Sequence, residues 1–182
     1  MTAPGYAIFD TAIGRCGIAW SERGIVAVQL PEANETATRA RVRRRLPGAC
    51  EAMPPPFVAS AIAGIIALLD GEAPDFADVA IDLDGIPPFN RRVYAIAQTI
   101  PRGSTLSYGE VATRLGDPGA ARAVGQALGE NPIPVVIPCH RVLAAHGKMG
   151  GFSAPGGTAT KRRLLTIEGA LADVELPLFG GT

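Results

Sequence analysis

The stretch Asn131-Pro132-Ile133-Pro134-Val135-Val136-Ile137-Pro138-Cys139-His140-Arg141-Val142 constrains this chain more than any other. Its prolines fix their own φ, remove backbone donors and restrict the residues before them, so no helix runs through it. The pattern predicts a stiff, extended segment. A cysteine followed by one of the chain's 2 histidines therefore has a fixed position, as a reacting group needs. Two readings of Cys139 stand at this point. It is either a buried small hydrophobe, the commoner fate of a free cysteine, or a displayed nucleophile.

The rest of the composition narrows the setting. With 182 residues, 47% of them hydrophobic, the chain has enough apolar mass for a core and is not disordered. No apolar run approaches the roughly 18–20 residues that cross a bilayer. Met1 to Gly5 offers neither a basic start nor an apolar core, so no secretory signal is expected. Cys16, Cys50 and Cys139 are an odd, widely spaced set, neither a disulfide framework nor a zinc pattern, and this suits a reducing compartment. A cytoplasmic globular protein is expected. Formal net charge is zero, yet residues 101–168 hold 8 Lys and Arg against 4 Asp and Glu, while residues 1–100 hold 9 against 11. That asymmetry fits a polyanionic partner on the C-terminal part.

Along the chain, Tyr6 to Thr11, Arg15 to Ser21 and Gly24 to Leu30 read as an antiparallel meander punctuated by Gly14 and Glu22-Arg23-Gly24. Thr36 to Leu46 reads as a helix with Arg39, Arg41, Arg43, Arg44 and Arg45 around a solvated face; Glu32 and Glu35 beside it and the lack of interleaved aromatics disfavour a nucleic-acid patch. Pro54-Pro55-Pro56 opens an apolar helix, Phe57 to Leu69, suited to cover the sheet. Val79 to Leu83 alternates like an edge strand. Gly85-Ile86-Pro87-Pro88 marks a boundary between a domain of residues 1–86, which shows no chemistry, and one of residues 87–182. Cys16 sits in a strand and Cys50 in a loop, both structural or incidental.

In the second part Phe89 to Ile100 is an amphipathic helix. Ser107 caps a helix from Tyr108 to Leu115 with Glu110 at its third position. After the turn Gly116-Asp117-Pro118-Gly119, Ala120 to Leu128 forms another helix, and the pair outlines a helix-turn-helix. The small residues of the second helix suit either close approach to a nucleic-acid groove or close helix packing. Gly147 to Gly157 is a glycine-rich loop that lacks the ending of a P-loop and reads as a lid or pocket wall. Thr160 to Glu168 is a final helix with Lys161, Arg162 and Arg163 in its first turn. The apolar tail Leu176 to Gly181 packs loosely or meets another chain. The fold class expected is α+β: a small antiparallel sheet with helices, then a mostly helical domain carrying the helix-turn-helix.

A cysteine nucleophile needs thiolate character, and an imidazole oriented by a carboxylate supplies it. His140 and Glu168 are the candidates, with a bridging water between Cys139 and His140, because neighbours on an extended segment point opposite ways. His146, in a glycine-flanked loop, reads as incidental. The motifs Ile137-Pro138-Cys139-His140-Arg141-Val142, Asn131-Pro132, Ser107-Tyr108-Gly109, Ala121-Arg122-Ala123-Val124-Gly125 and Leu164-Leu165-x-x-Glu168-Gly169 resemble, in order and spacing, those of the O6-alkylguanine-DNA alkyltransferases over residues 88–170. The resemblance implies an RNase H-like N-terminal domain and a winged-helix-like C-terminal one. It implies that Cys139 is the alkyl acceptor, completed by His140 and Glu168, and that Asn131 ties the helix-turn-helix to the cysteine loop. It further implies that Arg122 replaces an extruded nucleotide in the stack and that Tyr108 helps rotate it. The Val142 carbonyl would meet the guanine amino group, and the Ser153 amide would face O6. The resemblance implies binding through the minor groove, which suits the small faces of Ala121, Ala123 and Gly125. Flipping is a physical requirement, since O6 otherwise lies inside the stack. No cofactor or metal and no protein partner is implied, and the protein would act as a monomer on double-stranded DNA containing O6-alkylguanine.

Two departures stand out. Phe152 occupies the position where the family usually has a tyrosine whose hydroxyl reaches O6, and losing such a donor costs ~10²–10³ in rate where it dominates. The glycine-rich loop is also lengthened before the Glu168 helix. Residues 1–86 have two cysteines and no histidine, so the metal site of some relatives has no ligands here. A lesion-binding protein without transfer is the alternative that Phe152 keeps open, and a cysteine hydrolase is a more remote one, without a separate His plus Asn or Asp arrangement to support it.

Overall fold

The computed structural model describes residues 3–171, and the apolar tail Leu176 to Gly181 lies outside them. Strands β1 (Gly5–Thr11), β2 (Gly14–Trp20) and β3 (Ile25–Gln29) form the expected antiparallel meander. A two-residue β4 (Cys50–Glu51) joins β1 in parallel, giving the order β3-β2-β1-β4. Cys50, expected in a loop, is therefore on an edge strand, where it is exposed.

Period-two alternation divides β2 between two faces. Cys16, Ile18 and Trp20 enter the main core, whereas Ala19 joins Tyr6, Ala27 and Val42 in a smaller cluster. Helix α1 (Glu35–Arg45) covers the second face; Asn34 caps it, accepting from the Ala37 amide at 2.9 Å. It sits close because residue 17 is glycine, and a Cβ there would run into Val42. Helix α2 (Pro56–Leu69) covers the first face with Val58, Ala61, Ile65 and Leu68. Val79 to Leu83 does not form the expected edge strand. It touches β3 at the single bridge Ile25–Ile81, with Ile25 donating to the Ala80 carbonyl at 2.9 Å and Asp82 donating to Ile25 at 2.8 Å. Beyond that bridge, the Asp82 carboxylate accepts from the Ser21 hydroxyl at 2.6 Å, and these side-chain bonds replace a continuing ladder.

Helix α3 (Pro88–Gln98) is the post on which the helix-turn-helix is mounted. Tyr94 donates to the Ala127 carbonyl at 2.9 Å, Arg92 to the Leu115 carbonyl at 2.7 Å, and Asn90 to Glu130 at 2.8 Å. Helix α4 (Tyr108–Arg114) opens with a complete capping box: Glu110 N donates to Ser107 Oγ at 3.1 Å and Ser107 N to Glu110 Oε2 at 2.7 Å. Gly116, at φ +84, turns the chain out of α4. A 3-10 turn at Pro118–Ala120 leads into α5 (Ala121–Gly129).

Strand β5 (Leu106–Ser107) pairs in parallel with β6 (Val142–Leu143), binding the start of α4 to the exit of the cysteine loop. Helix α6 (Gly157–Ile167) starts before the expected Thr160, entered through Gly156 in the left-handed region. The result is a mixed α+β fold with a small sheet and, among the described residues, six α-helices. One apolar core runs from Ile18 and Trp20 through Ile65 and Tyr94 to Ile133 and Ile137.

Candidate active site

The proline-rich segment is not extended. Three prolines cannot donate, and the chain gathers its remaining donors into successive tight turns: Ile137 donates to the Ile133 carbonyl at 2.9 Å, Cys139 to Ile137 at 2.8 Å and Arg141 to Pro138 at 3.0 Å. Cys139–Arg141 is itself a 3-10 turn, and Val135 takes φ +75, a costly conformation for a β-branched residue. Asn131 holds this knot from inside. Its Oδ1 accepts from the Ile133 amide at 2.9 Å and its Nδ2 donates to the Ile137 carbonyl at 2.9 Å. The sheet fixes the same loop from outside, since the Val28 amide at β3 donates to the Pro132 carbonyl at 3.0 Å.

Cys139 is buried with its thiol intact. Burial pushes the thiol pKa up, opposed by a hydrogen bond from the Asn131 side chain and the charge of Lys161. Next to it His140 is fully enclosed. Its Nε2 lies 3.0 Å from Glu168 Oε1, off the line of an ideal N–H···O bond, and its Nδ1 has no partner among the described residues. Glu168 is held chiefly by Arg141, whose Nε donates to Oε2 at 2.9 Å and whose Nη2 donates to Oε1 at 2.7 Å. Arg141 Nη1 also donates to the Ile100 carbonyl at 2.6 Å. Burial alone would raise the Glu168 carboxyl, but His140 and Arg141 outweigh it and hold the pKa at about 2. The carboxylate is thus anionic and fixed, ready to orient the imidazole.

On the helix-turn-helix side, Cys139 opens onto a cavity of about 500 Å³ lined by Tyr108, Ala121, Arg122, Gly125, Phe152 and Ser153, among others. Helix α5 presents its small residues to this space, and Arg122 is exposed on the same helix. Tyr108, at the start of α4, is placed there by the β5–β6 pairing; burial raises its hydroxyl pKa, and the Gly151 amide opposes the shift. Of the predicted residues, Cys139, Tyr108, Ala121, Arg122, Phe152 and Ser153 meet around one cavity, His140 and Glu168 stand behind the cysteine, and Asn131 braces the loop. Val142 is not on the cavity wall, and its carbonyl accepts from Lys161 Nζ at 2.7 Å.

Two residues near the thiol escaped the sequence reading. Arg141 was visible in the motif but had no role, although a buried guanidinium needs a carboxylate and Glu168 was already a candidate. Lys161 stands with Arg162 and Arg163 in the first turn of the last helix and has no role in the motif, yet only 1% of it is exposed. Its ammonium also donates to the Gly151 carbonyl at 3.2 Å and lies 5.7 Å from the Tyr108 ring centroid. Burial lowers its pKa to about 8, opposed by Cys139. His146 lies apart, lining a separate cavity with Ser107, Glu110 and Leu143.

Comparison with known proteins agrees with this geometry. Residues 88–170 match the family described as 6-O-methylguanine DNA methyltransferase, DNA binding domain. A methylated-DNA–protein-cysteine methyltransferase of Mycolicibacterium paratuberculosis is 47% identical over 125 residues, 69% of this chain and 73% of that protein. One of Methanothermobacter thermautotrophicus is 37% identical over 153 residues, covering 84% and 78%. The crystal structure of Mycobacterium tuberculosis O6-methylguanine methyltransferase superposes with a TM-score of 0.73 at 37% identity, covering 97% of this chain and 99% of that one. The same organism's OGT in complex with DNA gives 0.71 at 37% identity, covering 91% and 93%. A cysteine braced in this loop beside a DNA-binding helix pair, with relatives this similar over most of their length, places the chain in the methylated-DNA–protein-cysteine methyltransferase family.

Proposed function

We propose that this protein repairs DNA directly, moving the alkyl group of a flipped O6-alkylguanine onto Cys139. The observation that carries the reading is the meeting of a buried thiol, backed by His140 and Glu168, with a cavity walled by the helix-turn-helix and the glycine-rich loop. Sγ attacks the carbon bonded to O6, the C–O6 bond breaks, and its electron pair stays on the guanine, which takes up a proton. The thiol proton passes by way of a bridging water to His140, whose Nδ1 has no partner among the described residues, and from there on to the guanine, while Glu168 offsets the transient imidazolium charge. Arg141 is a positioning residue that holds Glu168. The product is a thioether with no route back to the thiol, so each molecule acts once and no cofactor is consumed.

Double-stranded DNA is met through the minor groove. The slim face of α5 at Ala121 and Gly125 allows close approach, Arg122 fills the gap left by the nucleotide, and Tyr108 turns it into the cavity. The Ser153 amide faces O6, while the Val142 carbonyl, off the cavity wall, is given to Lys161. Residues 1–86 serve as the scaffold and residues 87–182 as the DNA-binding and acceptor part, a division supported by the family match over residues 88–170. The reading includes a monomer acting in the cytoplasm; among the described residues no helix is long and apolar enough to cross a membrane.

Phe152 favours a second reading, a protein that binds the lesion without transferring from it, because no hydroxyl at that position reaches O6. The Cys139→Ala and Arg122→Ala variants separate the two. Cys139→Ala should bind the lesion and transfer nothing; lesion binding by the native protein with no transfer supports the second reading. Arg122→Ala should lose more transfer from a duplex than from a single strand, and equal losses would contradict its role in extrusion.

A further inference from the structure

Cys139 stands between two cavities. Besides the large one, it lines a smaller space of about 60 Å³ on the side of the N-terminal sheet, and Phe152 and Ser153 line both. In-line displacement aligns Sγ, the attacked carbon and O6, so whatever else that carbon carries must leave the line sideways. For a methyl group nothing is left over. For a longer substituent the smaller cavity is the adjoining space, and at roughly 10–15 Å³ per water-sized group it has room for the three heavy atoms of a carboxylate.

The charges around this space have one sign in excess. Arg41 and Arg45 both line it, as does Glu32. They are four apart on α1 and therefore share a helix face. Arg41 Nε donates to Glu32 Oε1 at 3.0 Å, so that pair is largely spent. Arg45 has no carboxylate within ion-pair distance among the described residues. Burial drives the Tyr94 hydroxyl up to about 12, and Arg45 is among the groups pulling against that shift, so its charge reaches across to α3.

Resting on the alkyl-transfer reading, we propose that Arg45 makes the smaller cavity a subsite for O6-substituents that end in a carboxylate, so that the protein selects anionic O6-alkylguanines over neutral ones of the same shape. The displacement is the one described above: the Sγ–CH₂ bond forms, the CH₂–O6 bond breaks, and Cys139 ends as S-carboxymethylcysteine. Arg43 and Arg44, on the same helix but off the cavity, carry equal charge without this contact.

The test is a set of single-turnover transfer rates from one duplex sequence carrying O6-methylguanine, O6-carboxymethylguanine or its neutral isostere O6-carbamoylmethylguanine. Because the duplex is common to all three, its contribution to binding cancels in the ratios. The native protein should prefer the carboxymethyl over the carbamoylmethyl lesion about fivefold, the size of a partly exposed ion pair. Arg45→Ala should abolish the preference, Arg45→Glu invert it and Arg44→Ala retain it. An unchanged ratio in Arg45→Ala would overturn the proposal, as would an equal slowing on all three lesions, which would make Arg45 a phosphate contact. A native protein that transfers from none of them would overturn the alkyl-transfer reading as well.

Discussion

Burial has made the Cys139 thiol harder to ionise, and the Lys161 ammonium is the positive charge that, with the Asn131 hydrogen bond, opposes this. Replacing Lys161 with methionine should slow methyl transfer at pH 7, because the thiol loses the positive charge that favours its thiolate. Raising the pH should narrow the gap, since the native ammonium is itself lost through its pKa of about 8 while the thiol ionises unaided. Stopped-time transfer assays from pH 6 to 9.5 read this directly, and a pH-independent gap would make Lys161 only a brace for Val142 and Gly151. Phe152→Tyr should quicken transfer, by up to ~10² if the new hydroxyl reaches O6; an unchanged rate would show that the Ser153 amide already supplies the stabilisation. Cys139, His140 and Glu168 were legible because their motif is specific. Lys161 was not, because one buried lysine within Lys161-Arg162-Arg163 has the same composition as a solvated turn.

The start of α4 shows what sequence conveys well about an element. Ser107 and Glu110 announce a capping box, and both of its hydrogen bonds are present. Ser107→Ala should cost about 1 kcal/mol in urea denaturation. It should also slow transfer slightly, because Tyr108 is the first residue of the helix; an unaltered midpoint would mean that β5–β6 pairing alone fixes this corner. Gly150, at φ +67, lies against the same tyrosine, and a Cβ there would come within 2.7 Å of its hydroxyl oxygen. Gly150→Ala should therefore displace Tyr108 or the glycine-rich loop and reduce transfer from duplex DNA more than it lowers stability. Elements with neither periodicity nor caps were invisible. Strands β4, β5 and β6 have two residues each, too few for alternation to register. The proline-rich segment was misread for another reason: proline fixes φ, but where the remaining donors go depends on Asn131 and on partners distant in sequence.

Across the whole molecule, polar contacts as well as the shared core join the sheet, the cysteine loop and the flanking helices. Val28 holds the cysteine loop, Arg102 donates to the Gly71 carbonyl at 2.6 Å and the Ile167 carbonyl at 2.9 Å, and Arg141 binds Glu168. Glu168 has its folded pKa depressed to about 2, so its stabilisation is present above the unfolded value of roughly 4.3 and is lost as pH falls towards 2. The contribution is on the order of 3 kcal/mol. Glu168→Gln should be less stable than the native protein by about 3–5 kcal/mol at pH 7, since it leaves Arg141 buried without its carboxylate. The gap should shrink between about pH 4.5 and 2. A constant gap in urea denaturation across that range would contradict the pairing. The measurement that bears most directly on the central claim is the intact mass of the protein after incubation with a duplex carrying one O6-methylguanine, followed by peptide mapping. Gain of a single methyl group, confined to the peptide containing Cys139, is the predicted result. Tight lesion binding with no gain in mass, or a methyl group on any other residue, would contradict it.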